Sequence, residues 1–433
     1  MLEPRFLAIF VTCVLLVASI FAGFNIAIDP YLLFDVARRP GLNAVKPAVA
    51  SHEAMMKAYQ SQRVRPRTVI LGSSRADVGF DPASEVWPQE FRPVYNLSLV
   101  GSGTETGLRF LQHMLASNRN VDPPRTLIVG LDFEFFLVRP VAAAKDRQVP
   151  VETFDTSAKN GEERLAVLAN GETNPDRSLG VWKDYLAGTL SLDAISDSLL
   201  TIFANQGWAI PSDIEINGHS SEGRYPHWVE GVGAAALFEQ RDVITIRQYN
   251  CPHRGLSQTP GASIIELEPV RRLLDFAKSR GMTVFLVIEP SHAMHLDLLG
   301  YMGYWQDYEN WKRALMATVE SASAGGVDVS LWDFGGYEKY ARERVPAVSD
   351  RSKRTLWFWD SVHSTTSLGD LMVKRMLSRS DGDVDYGARL TPESIERRLA
   401  QIRLDRQDYR TLQPDDALFV RNLFNAATKC RDG

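Results

Sequence analysis

A serine hydroxyl attacks an acyl carbon only when a neighbouring base takes its proton. That base is usually an imidazole held in one tautomer by a carboxylate. The chain carries these groups in two short stretches, Gly72-Ser73-Ser74-Arg75 and Trp359-Asp360-Ser361-Val362-His363. Of the eight histidines, only His363 has an aspartate three positions before it. In a loop or a first helical turn, that spacing lets Asp360 hold one ring nitrogen while the other faces a hydroxyl. The chemistry predicted is acyl transfer. The competing readings are structural: Gly-Ser-Ser as a tight turn, and Asp360 as the cap of the following helix.

Other residue patterns carry less. Glu289, His292, His295 and Asp297 cluster after an apolar run, but no cysteine or second cluster joins them, so no metal is expected. The loop Gly101 to Gly107 places its last glycine one residue late for a dinucleotide fingerprint, and Ala76 breaks a Gly-x-Ser-x-Gly elbow. No cofactor is expected. Tyr301, Tyr304, Trp305 and Tyr308, and again Trp357-Phe358-Trp359, could stack on sugar rings or simply pack a core.

The elements that must position the serine and the Asp-x-x-His pair read as alternating strands and helices. Strands are expected at Arg67–Leu71, Val94–Val100, Thr126–Leu131, Thr283–Ile288 and Val327–Phe334. Between them, apolar faces at three- and four-residue spacing mark helices. Examples are Leu108, Leu111 and Leu115 behind a Thr104 cap, and Val270, Leu273, Leu274 and Ala277 before Gly281. Later come Tyr308, Trp311, Leu315 and Val319, and then Leu368, Leu371, Met372 and Met376. This alternation predicts an α/β fold with a doubly wound, five-stranded parallel sheet. Ligands bind such sheets outside the carboxyl ends of the strands. The serine turn, Gly101, His292 and the Asp360–His363 pair all follow strands on that rim.

From about residue 139 to 261 the alternation is lost, which reads as an insertion. One helix is expected inside it, Ser191–Asn205, with Leu192, Ile195, Leu199 and Phe203 on one face. Residues 6–28 contain no charge and span roughly 34 Å as a helix, long enough for a membrane anchor and too long for a secretory signal core. A stem over 29–65, a domain over 66–380 and a charged helical tail over 381–433 complete the plan. The Lys and Arg count around the anchor does not favour an outside domain. The formal charge of −5 argues against nucleic acid as partner. With Cys13 in the apolar run, Cys251 and Cys430 are left as a pair that is permitted to bridge but not required to.

These blocks resemble the SGNH (GDSL-like) hydrolase superfamily. Its Gly-Asp-Ser block is matched by Gly72-Ser73-Ser74, which implies Ser74 as nucleophile. Its second block, matched by Leu99-Val100-Gly101, implies that the amides of Ser74 and Gly101 form the oxyanion hole, and its last block is matched by Asp360 to His363. The likeness covers about residues 66–380. It is closest to membrane-anchored bacterial envelope members, which include a teichoic-acid D-alanyl transfer protein and polysaccharide O-acetyltransferases and esterases. That group shares the order of anchor, Gly-Ser-Ser and terminal Asp-x-x-His. The resemblance implies a single-pass protein of the cytoplasmic membrane with its bulk outside. It implies an esterase or O-acyltransferase activity on polysaccharide acyl esters, with a polysaccharide or acyl donor as substrate. It also implies a membrane acyltransferase or polysaccharide export machinery as partner. Arg75 and His292 are candidate substrate-pocket residues. The family's third block carries an oxyanion-binding asparagine, and here the stretch reads Gly130-Leu131-Asp132-Phe133-Glu134. An ionised carboxylate cannot donate that bond, and losing one such donor typically costs about 10²–10³-fold in rate. Asp132 and Glu134 are therefore left out of the expected site, and the alternative function is a catalytically inactive scaffold in polysaccharide export or modification.

Overall fold

The computed structural model of the protein describes residues 4–117, 122–139, 162–168, 170–210, 212–251, 253–257, 265, 267–347, 349–378 and 385–427. The chain is α/β and divides into two compact units. One comprises Met1–Val64, Arg109–Arg119 and Ala158–Arg224, the other Arg65–Leu108, Asn120–Ser157 and Tyr225–Gly433. The start of the expected tail, at 381–384, and Cys430 lie outside the described residues.

The second unit holds the sheet. Its strands are β1 (Thr68–Leu71), β2 (Val94–Asn96), β3 (Thr126–Leu131), β4 (Thr283–Ile288), β5 (Val329–Asp333) and β6 (Ala388–Leu390), in the order β2-β1-β3-β4-β5-β6. The first five pair in parallel. Every residue of β1, β2 and β3 is buried, as continuous apolar runs require when both faces of a sheet are covered. The chain passes from β1 to β2 on one side and then returns past β1 to β3, so the strand order reverses at β1. A crevice opens outside the strand ends at such a reversal.

The expectation of five parallel strands needs correction, because the sheet is mixed and has six. β6 lies antiparallel to β5, with Leu390 opposite Leu331 and Ala388 opposite Asp333. Three residues, Ala-Arg-Leu, are too few to show an alternating pattern, and they sit in a tail that otherwise reads as helical. Two helices do follow, Ile395–Leu412 and Pro414–Ala427.

In the first unit, the helix Pro4–Ile28 is long and apolar enough to cross a membrane. The chain leaves it through a pinned turn. The buried Asp29 side chain accepts the amides of Leu33 at 2.8 Å, Phe34 at 3.2 Å and Val36 at 3.1 Å. Lys46 donates to the carbonyls of Ile28 and Asp29, each at 2.7 Å. Burial pulls the Lys46 ammonium down to about 8. Helices Glu53–Gln60, Arg177–Leu190 and Leu192–Asn205 also belong to this unit.

Candidate active site

β1 delivers Ser74 by a turn that requires glycine, since a Cβ on Gly72 would stand 2.7 Å from the Ala76 methyl. Ser73 caps the helix Ser74–Gly79, its hydroxyl accepting the Arg75 amide at 3.2 Å. Ser73 also donates to Asp132. Its oxygen is therefore committed to structure, while Ser74 stands half-buried at the open face of the first turn. The helix Thr366–Leu377 lies against Ser74–Gly79 so closely that a Cβ on Gly369 would run into the Gly79 carbonyl oxygen. Two glycines thus allow the backbones to touch and draw the residues before Thr366 onto the serine.

Those residues form a tight antiparallel turn, with the Trp359 amide donating to the His363 carbonyl at 2.8 Å and Phe358 bridged to Ser364. Inside it, one oxygen of Asp360 accepts the amides of Val362 and His363, both at 2.9 Å. The other oxygen accepts from His363 Nδ1 at 2.7 Å. Nδ1 therefore carries the proton, and Nε2 is left to accept from Ser74 Oγ at 2.8 Å. The structure brings Ser74, His363 and Asp360 into one hydrogen-bonded chain. Burial tends to raise the Asp360 carboxyl, yet His363, Arg241 and the amides hold it well below the usual range.

Beneath the serine turn lies a buried charged network that the sequence reading did not anticipate. Arg75 pairs with Asp132 at 3.1 Å and approaches Glu134 at 3.7 Å. It also donates to the carbonyls of Glu289 at 3.1 Å and Pro290 at 2.7 Å, and to Ser291 Oγ at 2.8 Å. His295 bridges Glu134 at 2.6 Å and Asp242 at 3.1 Å. Burial opposes charge on His295, but its two acidic partners raise it to about 9. The same contact, with Arg75, holds Glu134 down at about 2 against its own desolvation. Burial and the Asp132 charge push Glu289 up to about 8, and burial likewise raises Asp132 despite Arg75 and Ser73. Asp242 also accepts from Ser361 Oγ at 2.6 Å, which ties the helix Ala234–Asn250 to the Asp360–His363 turn.

A cavity of about 150 Å³ opens over Ser74, with Gly101, Asp132, Arg241, Thr245 and Gln248 in its lining. Gly101 takes φ +71°, a left-handed conformation in which glycine is unstrained, and a side chain there would meet open space. Arg241, Thr245 and Gln248 share one face of the helix Ala234–Asn250, and Arg241 Nη2 stands 3.4 Å from His363 Nε2. A larger groove, about 540 Å³, lies between helices Glu268–Ser279 and Trp305–Ala324 and touches none of these residues.

Of the two expected pocket residues, Arg75 lines the cavity, with its guanidinium held by protein acceptors, and only His292 is corrected. His292 is fully buried away from the cavity, capping the helix Ala293–Tyr301 through the Met294 amide at 3.3 Å and contacting the Glu343 carbonyl at 2.8 Å. The four residues weighed as metal ligands after β4 are dispersed. Asp297 binds Tyr337 and the guanidinium groups of Arg406 and Arg410, while His292, His295 and Glu289 hold the partners just described. The aromatic clusters are largely core. Tyr304 is buried and donates to the Tyr249 carbonyl at 2.6 Å, Tyr308 packs on Phe133 and Trp311, and Trp359 stacks on Tyr225 at 5.0 Å.

The electrostatics give a pH prediction for any reaction in which His363 takes the Ser74 proton. Burial lowers the His363 imidazole below its ordinary 6.5, Arg241 lowers it further, and Asp360 only partly compensates. The base must be neutral to accept a proton, so the acid limb of kcat/KM is expected below pH 6.5. Arg241→Gln removes a positive charge and is expected to move that limb to higher pH, as read from kcat/KM profiles of the two proteins.

Compared with known proteins, the chain matches no family model and no curated sequence.

Proposed function

We propose that the protein is a membrane-anchored serine esterase or O-acyltransferase of SGNH type, acting outside the cytoplasm on short acyl esters of an envelope or exported polysaccharide. The observation that carries this reading is the chain Ser74–His363–Asp360, with hydrogen bonds of 2.8 and 2.7 Å in the order a nucleophile, base and orienting carboxylate require. His363 takes the Ser74 proton as Oγ attacks the acyl carbon. The amides of Ser74 and Gly101 receive the oxyanion. Collapse expels the sugar hydroxyl, which leaves with the proton from His363, and water or a second hydroxyl then releases the acyl group from Ser74.

Other features agree with this reading. The parallel order β2-β1-β3-β4-β5 supports a doubly wound reading, with the serine following the strand at which the order reverses. A cavity of about 150 Å³ suits an acetyl-sized group better than a long acyl chain. Cys251 is disulfide-bonded, which fits an oxidising compartment. The inactive-scaffold alternative has one observation in its favour, the carboxylate of Asp132 where the family carries an asparagine.

The test is covalent labelling of the full-length protein with a fluorophosphonate, which reports an activated serine without a known substrate. Wild type is expected to label, and Ser74→Ala and His363→Ala are expected not to. A folded wild type that does not label transfers support to the scaffold reading.

A further inference from the structure

The helices Arg177–Leu190 and Leu192–Asn205 are built inside out. On the first, Leu179, Trp182, Leu186 and Leu190 recur at spacings of one helical turn, and all are exposed, Trp182 by 66%. Its buried positions are Gly180, Asp184 and Gly188, where a Cβ on Gly188 would stand 2.5 Å from Leu33 Cδ1. On the second, Leu192 is 82% exposed and Leu199 and Phe203 are exposed with it, whereas Ala194, Ser198, Thr201 and Ala204 face inward. Of the apolar face read from the sequence, Leu192, Leu199 and Phe203 therefore point out, and Ile195 is half-buried. A water-facing surface reverses this order, whereas helices that face lipid pack small and polar residues inward.

The same pair clasps the exit of the anchor. Asn25, fully buried in the helix Pro4–Ile28, donates to the Thr189 carbonyl at 2.9 Å and accepts from Ser198 Oγ at 2.8 Å. Ile20, Phe21 and Ile26, near Asn25 in the anchor's sequence, are exposed as well. Trp208, 75% exposed and stacked on Phe203, extends the face with an aromatic ring of the kind that settles at headgroup level.

We propose that this helix pair is a membrane-interface platform, its outward apolar face seated in the headgroup–acyl boundary of the leaflet from which the anchor emerges. The two helices, bent by 59°, are together apolar enough for a broken span. Exposed Lys183 and Asp193, one on each helix, favour an in-plane seat, because a span would carry their charges toward hydrocarbon. The occupant is lipid, and the platform fixes the first unit against the membrane surface instead of leaving it on a free tether.

The test uses the full-length chain in single-chain nanodiscs whose phospholipids carry bromine at shallow or deep acyl positions. Tryptophan emission is expected to be quenched, more by shallow than by deep bromine. The double variant Trp182→Phe/Trp208→Phe, apolar and therefore compatible with the fold, is expected to lower that quenching about twofold or more. Quenching unchanged in the double variant overturns the proposal. So does stronger quenching by deep bromine, which signifies a spanning pair. Two chains per disc with no quenching of these residues assigns the face to a second copy and also overturns it.

Discussion

For the proposed esterase, replacing Asp360 by asparagine is expected to lower kcat for ester cleavage about 10⁴-fold while leaving unfolding behaviour close to wild type. The argument rests on tautomers. Asp360 accepts three hydrogen bonds, two from backbone amides and one from His363 Nδ1, and it is the last of these that leaves Nε2 as an acceptor for Ser74. An asparagine can still accept the amides of Val362 and His363 through its carbonyl oxygen, so the turn survives. Its NH₂ group then faces Nδ1 and donates to it, which moves the ring proton to Nε2, where it blocks proton transfer from Ser74 Oγ. Steady-state kinetics with an aryl acetate, paired with thermal unfolding, check both halves. Asp360→Asn with wild-type kcat removes Asp360 from the mechanism and leaves it as a turn former. Loss of activity together with collapse of the turn makes the effect structural.

How far the site was legible follows from how its residues are spaced. Ser74 and the Asp360–His363 pair are local signals, a glycine turn after an apolar run and a three-residue interval, and the strands that align them are continuous apolar segments. The parts not anticipated are held by contacts distant in sequence. Arg241 and Asp242 come from the stretch without strand–helix alternation, 119 residues or more before the turn they support. Their helix, Ala234–Asn250, has weak amphipathy, so the i, i+4, i+7 row of Arg241, Thr245 and Gln248 gives no sign of lining a cavity. His295 and His292 look alike in sequence. Only the fold separates a histidine between two acids from one that caps a helix. The helix Leu192–Asn205 shows a different limit, because periodicity located its apolar face but could not say whether protein or lipid meets it.

Arg75→Met is expected to cost about 3–5 kcal/mol of stability, because it leaves buried carboxylates without their cation. Arg75 is 6% exposed and reaches the ends of three strands at once: its own turn after β1, Asp132 and Glu134 after β3, and Glu289 to Ser291 after β4. Methionine fills similar volume, so the loss isolates charge and hydrogen bonding from packing. If the cost is the orphaned acid, neutralising that acid recovers part of it, and Arg75→Met/Asp132→Asn is expected to regain about 1–3 kcal/mol over the single variant. Arg75→Lys should not rescue, since an ammonium cannot pair with Asp132 while donating to two carbonyls and Ser291 Oγ in the planes a guanidinium satisfies. Chemical unfolding of the four proteins, followed by far-UV circular dichroism, reads all three comparisons. Wild-type stability in Arg75→Lys limits the role of Arg75 to a point charge, and no recovery in the double variant places the cost in the β4 contacts instead. Either result bears on the serine turn, because Asp132 also receives the Ser73 hydroxyl. The network that balances the charge at the end of β3 is thereby the one that holds the serine turn, so Arg75 accounts for a carboxylate at the position where the proposed SGNH reading calls for an asparagine, and that reading leaves the oxyanion to the amides of Ser74 and Gly101.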